Sequence, residues 1–489
     1  MTFFPIVKDN YGKILLFSVV FLKNWGQHAP SPQYVDVKNR FTFAVLCAII
    51  PLLLLYIERE RLIFMKKVFA LLFALALLPL VGCAGGASTA DTPEDTTPLI
   101  PKKVDNYNYP TIQDKLTWDK INAFPVKSED MTIEEMRELC VSFMRFSKTA
   151  VYTPNNNLSY ERATSGTQDE MFKGTLYGGL PYIGRGGCGN VYRLMDYIDE
   201  ETGVLDMEKI ALRPNLFGGH CSSSTYWAWS RVISSVAHAY TANITHSNGY
   251  LRIGPYTYID GISFSANYTS DQIVQQNGLD VMCKSYAELH LADGLVNYHE
   301  GGGHVIMASS EPTIAYKADG SIDPVNSYIT ILEQAQGWKE YTNAAGDVCQ
   351  VKESVDKKRT FLELYNGAYM PFTFAEFLGT KPVEKTECSV NLSGEEVSSL
   401  KLFNAIVKSN FGISDIYISL FSNSGREVYR LITRATEAGV KELQVVQLAD
   451  NTFTWGDLNA LKGTYTVKLS AQLSTGERPE LYTGKITLG

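Results

Sequence analysis

The chain has 489 residues, 45% hydrophobic, 12% aromatic and 20% charged, too apolar for a disordered chain and too long for one average domain. Its 44 basic and 52 acidic residues leave a net charge of −8 with no Lys/Arg cluster, which excludes proteins that track nucleic-acid phosphates. Eight cysteines without a C-x-x-C pair, and seven histidines without H-x-x-x-H or H-E-x-x-H, predict neither a disulfide framework nor a metal site, and no cofactor is expected.

In chain order, the first strong signal starts at Met65. Met65-Lys66-Lys67 is a short basic start, and Val68 to Leu80 is an apolar run too short to span a bilayer comfortably. Leu80-Val81-Gly82-Cys83 then resembles a lipobox, the processing signal of bacterial lipoproteins. That resemblance implies lipidation of Cys83 and an extracytoplasmic, membrane-anchored protein, with 65–82 as signal peptide. Residues 83–103 follow as a Ser/Thr/Pro/Asp-rich flexible tether. Residues 1–64 hold another apolar run, Phe41 to Ile57, interrupted by Pro51 and closed by Glu58-Arg59-Glu60-Arg61. Glu and Arg codons are purine-rich and lie where a ribosome-binding sequence for Met65 would lie, so 1–64 is read as an upstream extension from a misplaced start. The alternative is a membrane helix at 41–57. Without the seven basic and four acidic residues of 1–64, and without Lys66 and Lys67, the chain keeps 35 basic and 48 acidic residues, a net charge of −13. Such a surface does not hold anionic lipid by charge, so the acyl chains on Cys83 would carry the anchoring.

Three regions follow the tether. Residues 104–165 read as mainly helical: Met136, Leu139, Cys140 and Phe143 recur at helical spacing within Thr132 to Ser147, and Thr132 with Glu135 forms a capping box. Residues 166–385 carry nearly all the reactive side chains. Residues 386–489 change texture to short strand-like runs (SLKLFNAIV, DIYISLFSN, EVYRLITRA, KELQVVQLA, GTYTVKLSAQL, LYTGKITLG), which predicts an all-β immunoglobulin-like sandwich.

Gly218-Gly219-His220-Cys221 opens a run predicted to be a helix continuing through Ile233 and Val236. Cys221 at a helix start meets unpaired N–H groups and the positive end of the macrodipole, which lower a thiol pKa. The backbone N–H of Cys221 or Ser222 is placed to bind an oxyanion. Gly301-Gly302-Gly303-His304 puts a histidine at the mouth of an apolar strand, where an imidazole distant in sequence can meet the thiol. His299 reads as a loop residue. Glu333, near the end of a second strand beginning at Ser327, is the candidate to orient the imidazole, with Gln334, Gln336 and Asn326 as substitutes. Cys188, Cys283, Cys349 and Cys388 are available for disulfides, with no pairing legible. Tyr226, Trp227 and Trp229 read as packing on the nucleophile helix.

These residues resemble the papain-like bacterial cell-wall hydrolases, NlpC-type endopeptidases and the CHAP amidohydrolases. Gly179-Leu180-Pro181-Tyr182-Ile183-Gly184-Arg185-Gly186-Gly187 looks like their Pro-Tyr-x-x-Gly-Gly element, which implies that Tyr182 lines the site. Asp293-Gly294-Leu295-Val296 and then Gly303-His304-Val305 look like their Gly-Asp strand and Gly-His-Val, and Glu333 follows the histidine by one hairpin as in CHAP enzymes. The resemblance covers about residues 174–338 and implies an α+β papain-like catalytic domain, ahead of the immunoglobulin-like sandwich, that cleaves amide bonds, with peptidoglycan peptides as substrate. The departures are His220 and Ser223, where the family has Asp and Gly; about 33 residues between Gly187 and Cys221; and the reversed order Asp293-Gly294. The competing readings are a surface-adhesion lipoprotein on a degenerate papain-like scaffold and a transglutaminase-like acyl transferase. The sandwich is expected to position the catalytic domain or to bind a cell-surface partner.

Overall fold

The computed structural model describes residues 111–489, apart from 162–167, 184–186, 212, 239, 245–248, 260–261, 301 and 447–450, and two short N-terminal strands, Val7–Lys8 and Ile14–Leu15. Those strands aside, the expected upstream extension, signal peptide, Cys83 and tether lie outside the described residues. Among the described residues no helix is long and apolar enough to cross a membrane. The chain divides into two units, Met1–Thr92 and Pro93–Gly489, and the candidate site lies in the second.

The second unit is mixed α and β, mostly sheet. Helix α1 (Ile133–Thr149) starts at the capping box expected from Thr132 and Glu135, with both reciprocal bonds formed. Met136, Leu139, Cys140, Phe143 and Met144 bury its apolar face. Each such side chain contributes about 1.5–3 kcal/mol by leaving water, so burial outweighs the cap in holding the helix. The region is less helical than its pattern predicts, because β1 (Val151–Pro154) follows α1 at once and a hairpin pairs Leu158–Glu161 with Gln168–Met171. The β-branched and aromatic Val151, Tyr152 and Thr153 suit a buried strand better than a helix.

β1 joins a ten-stranded sheet with β2 (Tyr177–Gly178), β3 (Ile198–Asp199), β4 (Val204–Leu205), β5 (Leu251–Arg252), β6 (Gly294–His299), β7 (Gly302–Ala308), β8 (Tyr328–Thr342), β9 (Val348–Thr360) and β10 (Met370–Thr373). The spatial order is β3-β4-β1-β2-β9-β8-β7-β6-β10-β5. Val305, Ile306, Met307 and Ala308 are buried in succession, as expected where a strand is covered on both faces. Helix α2 (Cys221–Trp229) lies between α1 and strands β7 and β8, and every residue in it except Ser224 is buried. It ends at Trp229, short of the expected Val236. Arg231, wholly buried, stacks over the Phe143 ring and donates to Pro125 O and the Tyr192 hydroxyl, while Ser230 O accepts from Ser474 Oγ. These tertiary ties overrule the helical periodicity. His299 is the last residue of β6 rather than a loop residue, and its Nδ1 lies 2.6 Å from Asp271 in solvent.

The C-terminal region builds a second core from two antiparallel sheets. One is three-stranded, β11 (Cys388–Val390), β12 (Ile406–Ser409) and β15 (Glu442–Gln444), in the order β11-β12-β15. The other is five-stranded, β13 (Ile413–Phe421), β14 (Glu427–Arg434), β16 (Thr452–Trp455), β17 (Gly463–Leu473) and β18 (Glu480–Leu488), in the order β16-β14-β13-β17-β18. The run SLKLFNAIV is not one strand: Ser398 caps a short helix, Ser399–Phe403, before β12 begins. None of the six described cysteines, Cys188, Cys283, Cys349 and Cys388 among them, is joined in a disulfide.

The two cores meet across four charged side chains with almost no exposure. Asp415 lies 3.1 Å from Arg193 and 2.9 Å from Arg434, and Arg434 lies 2.9 Å from Asp196. Arg193 also donates to the carbonyls of Leu216, Ser414 and Ala435 at 2.8–3.0 Å, and Asn190 Nδ2 donates to Ser414 Oγ at 2.7 Å.

Candidate active site

The site begins with how Cys221 is delivered. Gly219 N donates to Pro181 O (3.1 Å) and Ile183 N to Gly219 O (2.9 Å), so the Pro181-Tyr182-Ile183 segment runs beside the two glycines that lead into α2. A Cβ on Gly218 would lie 2.0 Å from Ile183 Cγ1, so this approach requires glycine. The residues between Gly187 and Cys221 form a compact excursion of short helices and the β3–β4 pair rather than a loose insertion. Cys221 is the first residue of α2, where the N–H groups of the first turn have no partner within the helix.

His304 is the third residue of β7, at the point where the strand passes from partly exposed to buried. Its backbone N–H donates to Asn297 Oδ1 (2.7 Å), and Asn297 Nδ2 donates to Gly367 O (2.9 Å). A Cβ on the preceding Gly303 would lie 2.3 Å from Asn297 O and 2.6 Å from Thr241 Oγ1. The Met307–Leu332 register sets Glu333 one position farther along β8, so that it meets His304 diagonally. His304 Nε2 and Glu333 Oε2 are 3.1 Å apart. Glu333 is itself surrounded: Ser354 Oγ donates to it at 2.8 Å, with Lys357 at 3.3 Å, Arg359 at 3.7 Å and Lys339 at 3.8 Å.

The electrostatics follow from these contacts. Burial alone would raise the Cys221 thiol, but hydrogen bonds from His220 and then His304 bring it down to about 5. Burial would lower His304, yet the Cys221 and Glu333 partners raise it to about 9. Burial also works against the Glu333 carboxylate, and the hydrogen bond to His304 holds it well below the ordinary carboxylate range. The favoured form near neutrality is therefore a thiolate, an imidazolium and a carboxylate in a row. Tyr182 lies within hydrogen-bonding reach of Cys221, and burial followed by the thiol's charge pushes its hydroxyl up.

The structure thus brings Cys221, His304, Glu333 and Tyr182 together, and the main-chain N–H of Ser222 follows Cys221 in the first turn of α2. Gln334, a proposed substitute for Glu333, instead ties the site's walls: its Nε2 donates to Leu180 O (3.2 Å), and its Oε1 accepts from Ser224 Oγ. Asn326 is held in a surface turn by Asp323. Asp293, matched above to a family strand, is a structural residue whose carboxylate accepts from Arg137 (2.8 Å) and Thr373 (2.6 Å), pinning α1 to the sheet. His220, noted in the sequence only as a departure, caps α2, because its Nδ1 accepts from Ser223 N (3.2 Å). Histidine is not among the usual N-cap residues, nor serine the usual partner three positions on, so no local signal marked this role. Among the described residues, no group of three or more His, Cys, Asp and Glu side chains is disposed to hold a metal ion.

The chain matches no protein-family model, and searches of curated proteins and of solved structures likewise find no match.

Proposed function

We propose that this protein is a lipid-anchored extracytoplasmic cysteine hydrolase that cleaves an amide bond, with a papain-like catalytic domain and an immunoglobulin-like sandwich behind it. The observation that carries the reading is the row Cys221, His304, Glu333, in which His220 and then His304 lower the thiol, and Cys221 and then Glu333 raise the imidazole. A structural cysteine in an apolar core has its thiol raised, as Cys140 has, pushed to about 12 by burial.

In this reaction the Cys221 thiolate attacks the amide carbonyl carbon, and the carbonyl π electrons move to oxygen. The N–H groups of the first turn of α2 bind that oxyanion. Its collapse breaks the C–N bond, and His304 gives its proton to the departing amine. His304, now neutral, takes a proton from water, whose oxygen attacks the thioester. The second collapse releases a carboxylic acid and restores the thiolate–imidazolium pair. Glu333 keeps the ring oriented and balances its charge throughout.

Peptidoglycan stem or cross-bridge peptides are the substrate that the resemblance to NlpC-type and CHAP hydrolases supports. The test is release of muropeptides from purified peptidoglycan by the protein, beside Cys221→Ala and His304→Ala. Release of defined peptides by wild type alone is expected, and product masses name the bond. Equal silence of all three, with an inert Cys221 thiol, would replace this reading with the surface-binding one. Incorporation of an added amine in place of water would replace it with the acyl transferase.

A further inference from the structure

The imidazole of His220 is 5% exposed, and its two nitrogens have unlike surroundings. Nδ1 is pinned: Ser223 N–H, which can only donate, points at it from 3.2 Å, and Ser222 Oγ lies 3.1 Å away. In the neutral ring the proton therefore sits on Nε2. That Nε2 is buried and meets no hydrogen-bond partner of regular geometry. A buried N–H without an acceptor costs about 1–3 kcal/mol, so its retention calls for an explanation.

The ring has little freedom to turn elsewhere. It packs in a cluster with His238 (centroids 5.4 Å apart) and Tyr240 (6.0 Å), whose rings are 5.8 Å from each other, and Ser222 Oγ also lies 3.4 Å from His238 Nε2. Burial, followed by the neighbouring His220, lowers His238 to about 3, so that ring stays neutral. Cys221, the next residue in the chain, has its thiol within hydrogen-bonding reach of this ring. A neutral thiol is a weak acceptor and a thiolate a strong one, so the unpartnered N–H gains a strong acceptor only when Cys221 ionises.

We propose that His220 is a further catalytic residue, a fixed Nε2–H donor to the Cys221 thiolate, so that two imidazoles serve one sulfur with separate duties. His304 moves the proton; His220 holds its own and stabilises the charge. The proposal rests on the reading of Cys221 as the nucleophile.

Two substitutions separate the donor from the cap. His220→Asn keeps a good N-cap acceptor for Ser223 N–H but lacks the distal N–H. His220→Gln has a longer side chain whose amide N–H reaches about as far as Nε2, and it gives up the cap. The readout is the rate of iodoacetamide alkylation of the Cys221 peptide by mass spectrometry from pH 4 to 10, with thermal unfolding alongside. The expected result is that Asn moves the alkylation profile upward, cutting the rate at pH 6 at least tenfold, while melting stays near wild type. Gln should melt lower but alkylate within a few-fold of wild type. An Asn variant that alkylates like wild type, or an equal upward shift in both variants, overturns the proposal while leaving the nucleophile reading in place. A wild-type Cys221 that is inert at pH 6 overturns both.

Discussion

Two rows of charge lie within this protein, and they are built for opposite purposes. At the candidate active site, Cys221, His304 and Glu333 carry one positive and two negative charges, with Lys339, Lys357 and Arg359 at the rim, partly in water. Between the two cores, Arg193, Asp415, Arg434 and Asp196 sum to zero with almost no exposure. In the first row the charged state is set by proton exchange between a thiol and an imidazole, both titrating within reach of neutrality. In the second, burial would raise Asp415, yet Arg193 and Arg434 hold its carboxyl below the usual range, and the guanidiniums do not deprotonate. Asp196, paired with Arg434, is pushed up by burial instead, so the second row is fixed at Asp415 and its two guanidiniums, while the first is arranged so that a proton can move.

The largest way to break this contrast is Cys221→Ala or His304→Ala. Either should lower muropeptide release by about 10⁴-fold or more, with unfolding by denaturant nearly unchanged. Next is Arg193→Met, which leaves Asp415 with one guanidinium and orphans several carbonyls. It should cost about 3–5 kcal/mol in denaturant unfolding while the Cys221 alkylation profile keeps its shape. If alkylation shifts as much as stability falls, the two rows are not independent. Glu333→Gln should lower hydrolysis by about 10²-fold, as loss of an orienting and charge-balancing group does. It should also move the alkaline limb of the alkylation profile down from about 9, because His304 loses one of the partners that raise it. An unmoved limb would mean that Glu333 does not act through His304.

The pH dependence of stability sharpens the comparison further. Cys221, at about 5 against an ordinary 9.0, contributes stability that is complete above pH 9 and is lost as pH falls through 5. His304, at about 9 against an ordinary 6.5, contributes stability that is complete below pH 6.5 and is lost as pH rises through 9. Between 6.5 and 9 the two slopes cancel, because folded and unfolded chains bind the same number of protons at this pair. The pair therefore predicts a plateau from 6.5 to 9 and a decline between 6.5 and 5, which Cys221→Ala should flatten. The Asp415 contribution persists into more acid solution, since its carboxyl is held below 3.8. The smallest effect is Thr132→Ala, which removes the cap of α1 far from both rows: about 1 kcal/mol by thermal unfolding and no change in alkylation.

The candidate site was legible where a local pattern marks the chemistry. Two glycines ahead of His220-Cys221 and three ahead of His304 announce a helix start and a strand start, and close approach of the chain at Gly218 and Gly303 explains one glycine of each. Glu333 was legible only as a guess, because a glutamate near a strand end looks like any solvated residue until β7 and β8 are in register. His220 was read as a mismatch because a motif says what a position usually holds, while capping depends on what the ring accepts. The ion row between the cores left no legible pairing: Arg193 and Asp415 both sit among apolar neighbours, but they are 222 residues apart and nothing local says that they meet. The early end of α2 was equally hidden, since its causes, Pro125, Tyr192 and Ser474, are contributed by distant segments.

The tie from Ser474 to Ser230, together with Lys441 Nζ donating to Ser234 O at 2.8 Å, anchors the chain just past α2 to the C-terminal sheets. A cut at residue 386 would strip Arg193 of its counter-ion and expose the end of α2. The two halves therefore cannot be inherited, swapped or grafted separately in the manner of beads on a string.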